Sequence, residues 1–109
     1  MKTLTKDIIQ FRDERNWRQY HNPKDLAISV NLEASELLEH FQWTDGQAAV
    51  ESKRGEIADE LADVMIYCLM MAHDMGLDPE TIIRNKMVKN GEKYPVDKAY
   101  GKSDKYDIL

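Results

Sequence analysis

Glu33-x-x-Glu36 and Glu60-x-x-Asp63 place two pairs of carboxylates at helical spacing, each beside an apolar stripe and on either side of a single break in the chain. Residues three and four apart share one face of a helix. Glu33 therefore lies over the line Leu26, Val30, Leu37, with Glu36 at its border beside Ser29 and His40, and Glu60 shares a face with Ile57, Val64 and Met71. A charge at the edge of an apolar stripe gives up water and needs a partner in return. A chain that carries the same device twice has to fold so that both pairs are neutralised.

An antiparallel hairpin would do this, because residues equidistant from its turn lie level with one another. The centres of the two pairs have their midpoint at about residue 48, within a turn of helix from the break at Thr44-Asp45-Gly46. Four carboxylates facing each other in a low dielectric repel unless protons or a cation intervene. A divalent cation is the simplest answer. The donors, Glu33, Glu36, Glu60 and Asp63, are all carboxylate oxygens with no Cys and no fixed His among them, which selects Mg²⁺ first and Mn²⁺ second over zinc or copper. A solvated helix face is the competing reading of either pair alone in a chain with 20 acidic residues. Two pairs level across one turn favour the metal.

The remaining pattern is helical throughout. Leu4, Ile8, Phe11 and Arg15 step at helical spacing, and Thr5 can cap a first helix running to about Asn16–Trp17. Asn22-Pro23, with Asp25 in the first turn, restarts the chain as a second helix to about Phe41 or Trp43. A third, continuous from Ala48 or Ser52 to Asp74, ends at Gly76, and its second half is apolar on nearly every side, which suits burial both in its own bundle and against another subunit. Asp78-Pro79-Glu80 opens a fourth, closed by Asn90-Gly91. The expected architecture is an all-α four-helix bundle over residues 1–95 with a polar tail over 96–109, either disordered or a flap over a site.

Composition narrows the function. At 109 residues and 42% hydrophobic, the chain is one domain that gains from oligomerisation. A net charge of -5 argues against a nucleic-acid surface, though not against a single nucleotide whose charge a metal offsets. The lone Cys68, in the run VMIYCLMMA, reads as a small buried hydrophobe, and no disulfide or Cys-based zinc site can be built from it. No segment reads as a signal peptide or a membrane span, so a cytoplasmic protein is expected. Phe11 and Phe41 read as core, and Met65, Met70, Met71 and Met75 as packing or subunit interface.

The acid pairs, inside LEASELLEHFQW and EIADELADVMIY, resemble those of the MazG-like all-α nucleotide pyrophosphohydrolases, in particular the small dCTP pyrophosphatase-like branch. RDERNWRQYHNPKDL before the first pair and KMVKNGEKYP after the third helix extend the likeness over most of the chain. Ser35 departs from it, standing where many relatives have glycine. The resemblance implies hydrolysis of a nucleoside triphosphate between its α- and β-phosphates to a monophosphate and pyrophosphate, with pyrimidine deoxynucleotides first among the substrates. It makes Glu36 the preferred general base and Glu60 its catalytic partner, both also metal ligands. Lys86, Asn90 and Lys93 of the closing motif become candidates for the phosphates, with a plain helix-dipole role for Lys86 as the alternative. Trp17, Trp43 and Tyr67 fall around the base, and His21 supplies a polar group of the type such a pocket needs, although by composition alone each aromatic more often packs in a core and His21 more often lies at the surface or in a cap. Homodimers or homotetramers are implied. The alternatives are a related phosphohydrolase acting on another pyrophosphate substrate such as phosphoribosyl-ATP, and a non-catalytic helical interaction module.

Overall fold

Asn22 accepts a hydrogen bond on its side chain from the Asp25 backbone N–H at 2.9 Å, with Pro23 at the first helical position, and Asp78 does the same for the Thr81 N–H at 2.9 Å, followed by Pro79. Both caps satisfy backbone donors that a helix start leaves orphaned. In the computed structural model, which describes residues 1–109, six α-helices follow: α1 (Lys2–Glu14), α2 (Pro23–Glu39), α3 (Gly46–Ser52), α4 (Arg54–Asp74), α5 (Pro79–Lys93) and α6 (Val96–Ala99). Single 3₁₀ turns lie at Trp17–Tyr20 and Tyr106–Ile108. There is no strand, and the fold is all-α. No helix is long and apolar enough to cross a membrane.

The chain forms two compact units, Met1–Gly76 and Leu77–Leu109. Gly76, at the end of the first, has φ of +69°, a conformation that glycine adopts without the Cβ clash other residues meet. In the first unit α2 and α4 make the most extensive helix pair, with α1 and α3 each laid against α4. Its buried centre is small: Leu26, Ala49, Leu69, Met70 and Ala72, together with the charged Arg12, which is 0% exposed. Arg12 is held by Asp74, whose two carboxylate oxygens accept from Nη1 at 2.8 and 3.0 Å, and by Asp13 at 3.3 Å. This ion pair ties α1 to the last turn of α4.

Several boundaries differ from those read in the sequence. Thr5 does not cap α1, which starts at Lys2, and its hydroxyl is buried without a partner. A helix continuous from Ala48 is replaced by two. Lys53 leaves helical geometry at φ −124°, ψ 29°, so α3 ends there and α4 begins anew. The second helix stops at Glu39 and the fourth runs through Gly91 to Lys93. Phe11 is 49% exposed and Cys68 is exposed, where both were expected inside. The 96–109 segment carries α6 and a 3₁₀ turn in which Tyr106 meets Tyr94 edge-on, ring centres 6.2 Å apart, with Lys93 Nζ 4.8 Å above the Tyr106 ring.

Candidate active site

Packing of α2 on α4 brings three acids together. Carboxylate oxygens of Glu33, Glu36 and Glu60 all lie within 4.8 Å of one another. Asp63, one turn beyond Glu60, stands beside this trio, close enough for its charge to act on Glu33 and Glu60. Glu33 is pushed up to about 7, first by burial, then by a hydrogen bond with Glu36 and by the charges of Glu36, Asp63 and Glu60. Glu60 is raised too, by burial, by its hydrogen bond with Glu36 and by the charges of Glu36 and Asp63. His40, at the end of α2, works the other way, with Nε2 3.8 Å from Glu60 Oε1. Like charges forced together hold protons that carboxylates in water would release at this pH.

Two of these oxygens need another explanation. Glu33 Oε2 and Glu60 Oε2 are buried and have no hydrogen-bond partner. A buried acceptor without a donor is costly, and a native fold normally satisfies it. Oxygen-only donors, converging and with buried lone pairs free, fit a hard divalent cation. The trio and the adjacent Asp63 would hold it.

Beside the acids lies a hollow of about 390 Å³, in the range of small-molecule sites. Trp17, His21 and Tyr67 line it, as do Phe11, Ile66 and Met70. The 3₁₀ turn after α1 delivers Trp17, whose ring meets Phe11 edge-on at 5.9 Å, and the Arg15 guanidinium covers Phe11 at 3.6 Å from the ring centre. His21 meets Tyr67 edge-on at 6.4 Å. Burial, then the charge of Arg12, holds His21 below its ordinary value, with Asp74 opposing. Its Nδ1 is buried and unpartnered. Tyr67 is raised by burial and then by the charges of Glu33, Asp63 and Glu36, so the phenol keeps its proton and stands where the hollow meets the acids.

Other candidates are placed elsewhere. Trp43 does not line the hollow: it is 93% exposed and its backbone is left-handed at φ +65°, which is unusual for a bulky residue. Lys86 and Asn90 belong to the second unit, where they line an open depression with Ile82, Ile83 and Met87, and Lys93 is the lysine above Tyr106. Arg12 and Asp7 of the site region were not singled out by sequence, and Phe11, read there as core, lines the hollow. A charged residue one turn from Ile8 on the inner side of α1 was the available sign for Arg12, but its partner lies 62 residues away.

Comparison with known proteins identifies relatives of the chain. The MazG-like family model matches residues 28–109, which include both acidic motifs. Human dCTP pyrophosphatase 1 is 35% identical over 105 residues, covering 92% of this chain and 62% of the human protein, and the rat protein of the same name is 34% identical over the same span. The chain thus spans less than two thirds of the length of these curated relatives. The crystal structure of a pyrophosphatase from Archaeoglobus fulgidus superposes with a TM-score of 0.83 at 41% identity, covering 87% of this chain and 92% of that one. With the family model spanning both acid pairs and an all-α structural match at this identity, the chain belongs to the MazG-like family.

Proposed function

We propose that the chain is a Mg²⁺-dependent nucleoside triphosphate pyrophosphohydrolase, converting a triphosphate and water to a monophosphate and pyrophosphate, with pyrimidine deoxynucleotides as its preferred substrates. One observation carries the reading: three converging carboxylates, two of them with a buried, partnerless oxygen, adjoin an aromatic hollow of nucleoside size. The relatives named dCTP pyrophosphatase support the substrate class.

Glu33, Glu36, Glu60 and Asp63 would hold Mg²⁺, with Mn²⁺ as the substitute. When bound, the cation offsets phosphate charge and lowers the pKa of coordinated water. Glu36 is assigned to accept a proton from the attacking water, because it is the exposed member of the trio and is open to water. A water oxygen–phosphorus bond forms, the anhydride bond breaks, and pyrophosphate leaves. Glu60 completes the constellation, steadied by His40. Trp17, His21 and Tyr67 enclose the base, and Tyr67 excludes water between base and phosphates. Lys86, Asn90 and Lys93 are assigned to the phosphates and Trp43 to the base, in both cases from their places in the family motifs.

The protein acts in the cytoplasm as a homodimer or homotetramer on free nucleotides, and binds neither nucleic acid nor membrane. Product analysis over the common ribo- and deoxyribonucleoside triphosphates tests the reaction, resolving monophosphate, diphosphate, pyrophosphate and orthophosphate. Monophosphate and pyrophosphate in equal amounts, only with Mg²⁺ or Mn²⁺, are expected. Diphosphate and orthophosphate, or no turnover of any substrate, would overturn it.

A further inference from the structure

The hollow beside the acids carries few polar groups: Asp7, His21, Asp63 and Tyr67. Asp63 and Tyr67 are committed to the acid cluster by the charges they exchange with it. His21 has a buried, unpartnered Nδ1. Asp7, like His21 Nδ1, is left without a partner in the protein. It lines the hollow from α1 but makes no hydrogen bond or ion pair.

We propose that Asp7 reads the base, accepting a hydrogen bond from an exocyclic amino group and so selecting cytosine over uracil. The inference rests on the reading of the hollow as a base site. An ionised carboxylate is an acceptor only, with up to four lone-pair sites and no proton to give. Asp7 is open to water while the hollow is empty and loses that water when a ligand fills it, so it then needs a donor on that ligand. It cannot serve the phosphates, whose negative charge it would repel. It therefore belongs to the base, and among base edges it distinguishes one feature. The cytosine amino group donates, and aspartate is a natural acceptor for it, whereas the uracil or thymine carbonyl at the same position sets acceptor against acceptor. Placement of the carboxylate is defined by the fold. Asp7 shares α1 with Ile8 and Phe11 of the same hollow, and the Arg12–Asp74 ion pair fastens that helix to α4, which supplies Ile66, Tyr67 and Met70 opposite.

The test measures binding of dCMP and dUMP to the full chain by isothermal titration calorimetry. Neither ligand requires turnover, so the result is separate from the product assay. Wild-type protein should prefer dCMP by about tenfold to a hundredfold, the discrimination a correct base contact gives. Asp7→Asn, whose carboxamide can donate to a carbonyl, should weaken dCMP by about tenfold or more and bring dUMP level with it or ahead. Asp7→Ala should weaken dCMP by a similar factor with no gain for dUMP. Unchanged dCMP:dUMP ratios in both variants overturn the proposal, as does a wild-type protein with no preference or no detectable binding. Because Asp7 is exposed, both variants should melt with the wild type. Pyrophosphate release with an unaltered ratio leaves the enzyme reading standing and removes Asp7. Amino selectivity that reverses in Asp7→Asn, without turnover of any triphosphate, does the opposite.

Discussion

Glu60 is the residue at which site and stability can be separated, because it belongs to a group of charges that the metal-free protein would be better without. Glu60→Gln removes one charge from the trio and keeps its shape. Circular dichroism should be unchanged, the melting temperature in EDTA should rise by a few degrees, the upward shift on adding Mg²⁺ should vanish, and turnover should fall about a hundredfold or more. A variant that unfolds instead makes Glu60 structural. The same repulsion sets a pH dependence. Glu33 keeps its proton to about 7 in the fold but releases it near 4.5 when unfolded. Between those values the native state holds the extra proton, so the stability this proton confers is complete below about pH 4.5 and is lost as the pH rises to about 7. Glu60, displaced in the same direction, adds to the slope. Thermal melts in EDTA should therefore show a falling melting temperature from about pH 5 to 7, and saturating Mg²⁺ should flatten it. A metal-free melting temperature that rises over this interval would contradict the crowding of the acids. The convergence of Glu33, Glu36 and Glu60 was legible because helical spacing is local and the midpoint of the two motifs falls near the break. Asp7 and Phe11 were not, since what makes them site residues is the approach of α4, which no local spacing records.

The Arg12–Asp74 pair decides how firmly α1, and with it one wall of the hollow, is held. Arg12 is 0% exposed and the Asp74 side chain 12%, so losing the carboxylate strands a guanidinium inside. Asp74→Ala should cost about 3 kcal/mol in urea unfolding, in line with other broken buried pairs, and Arg12→Met should cost less because Asp74 can still reach water. The paired change Arg12→Met with Asp74→Leu should recover a good part of the loss. Equal, small effects from both single changes would show the pair to be ornamental. At this scale the sequence was most readable where side chains act on their own backbone: Asn22-Pro23 and Asp78-Pro79 open α2 and α5 as their chemistry requires. It was least readable at Ser52-Lys53, where the chain leaves helical geometry at Lys53 with no Gly or Pro at that position to announce it. The break expected at Thr44-Asp45-Gly46 is present, with Asp45 capping α3, and the helix expected after it is divided between α3 and α4.

A small core leaves much apolar surface uncovered. Ile28, Leu32 and Leu38 of α2 are 47–69% exposed, and Leu61 and Met65 of α4 are 43% and 54% exposed. The apolar character of α4 that the sequence displayed is thus only half used within one chain, by Leu69, Met70 and Ala72. A second copy would use the rest. Sedimentation should find a dimer or tetramer with a concentration-dependent melting temperature, and Leu61→Glu or Met65→Glu should yield monomers. A wild-type monomer at all concentrations would overturn this. Trp43, the most exposed large apolar side chain at 93%, bears on the same question in a different way. The chain has two tryptophans, and they see different surroundings: Trp17 sits half-covered against Phe11, while Trp43 is bathed in solvent. Their emission should therefore separate into a bluer and a redder component. A Trp17→Phe protein would keep only the fluorophore at residue 43, whose emission should shift when a second copy or a base covers it, and a Trp43→Phe protein only the one that lines the hollow. The native sequence thus carries two optical reporters at different places, one in the hollow and one in open solvent.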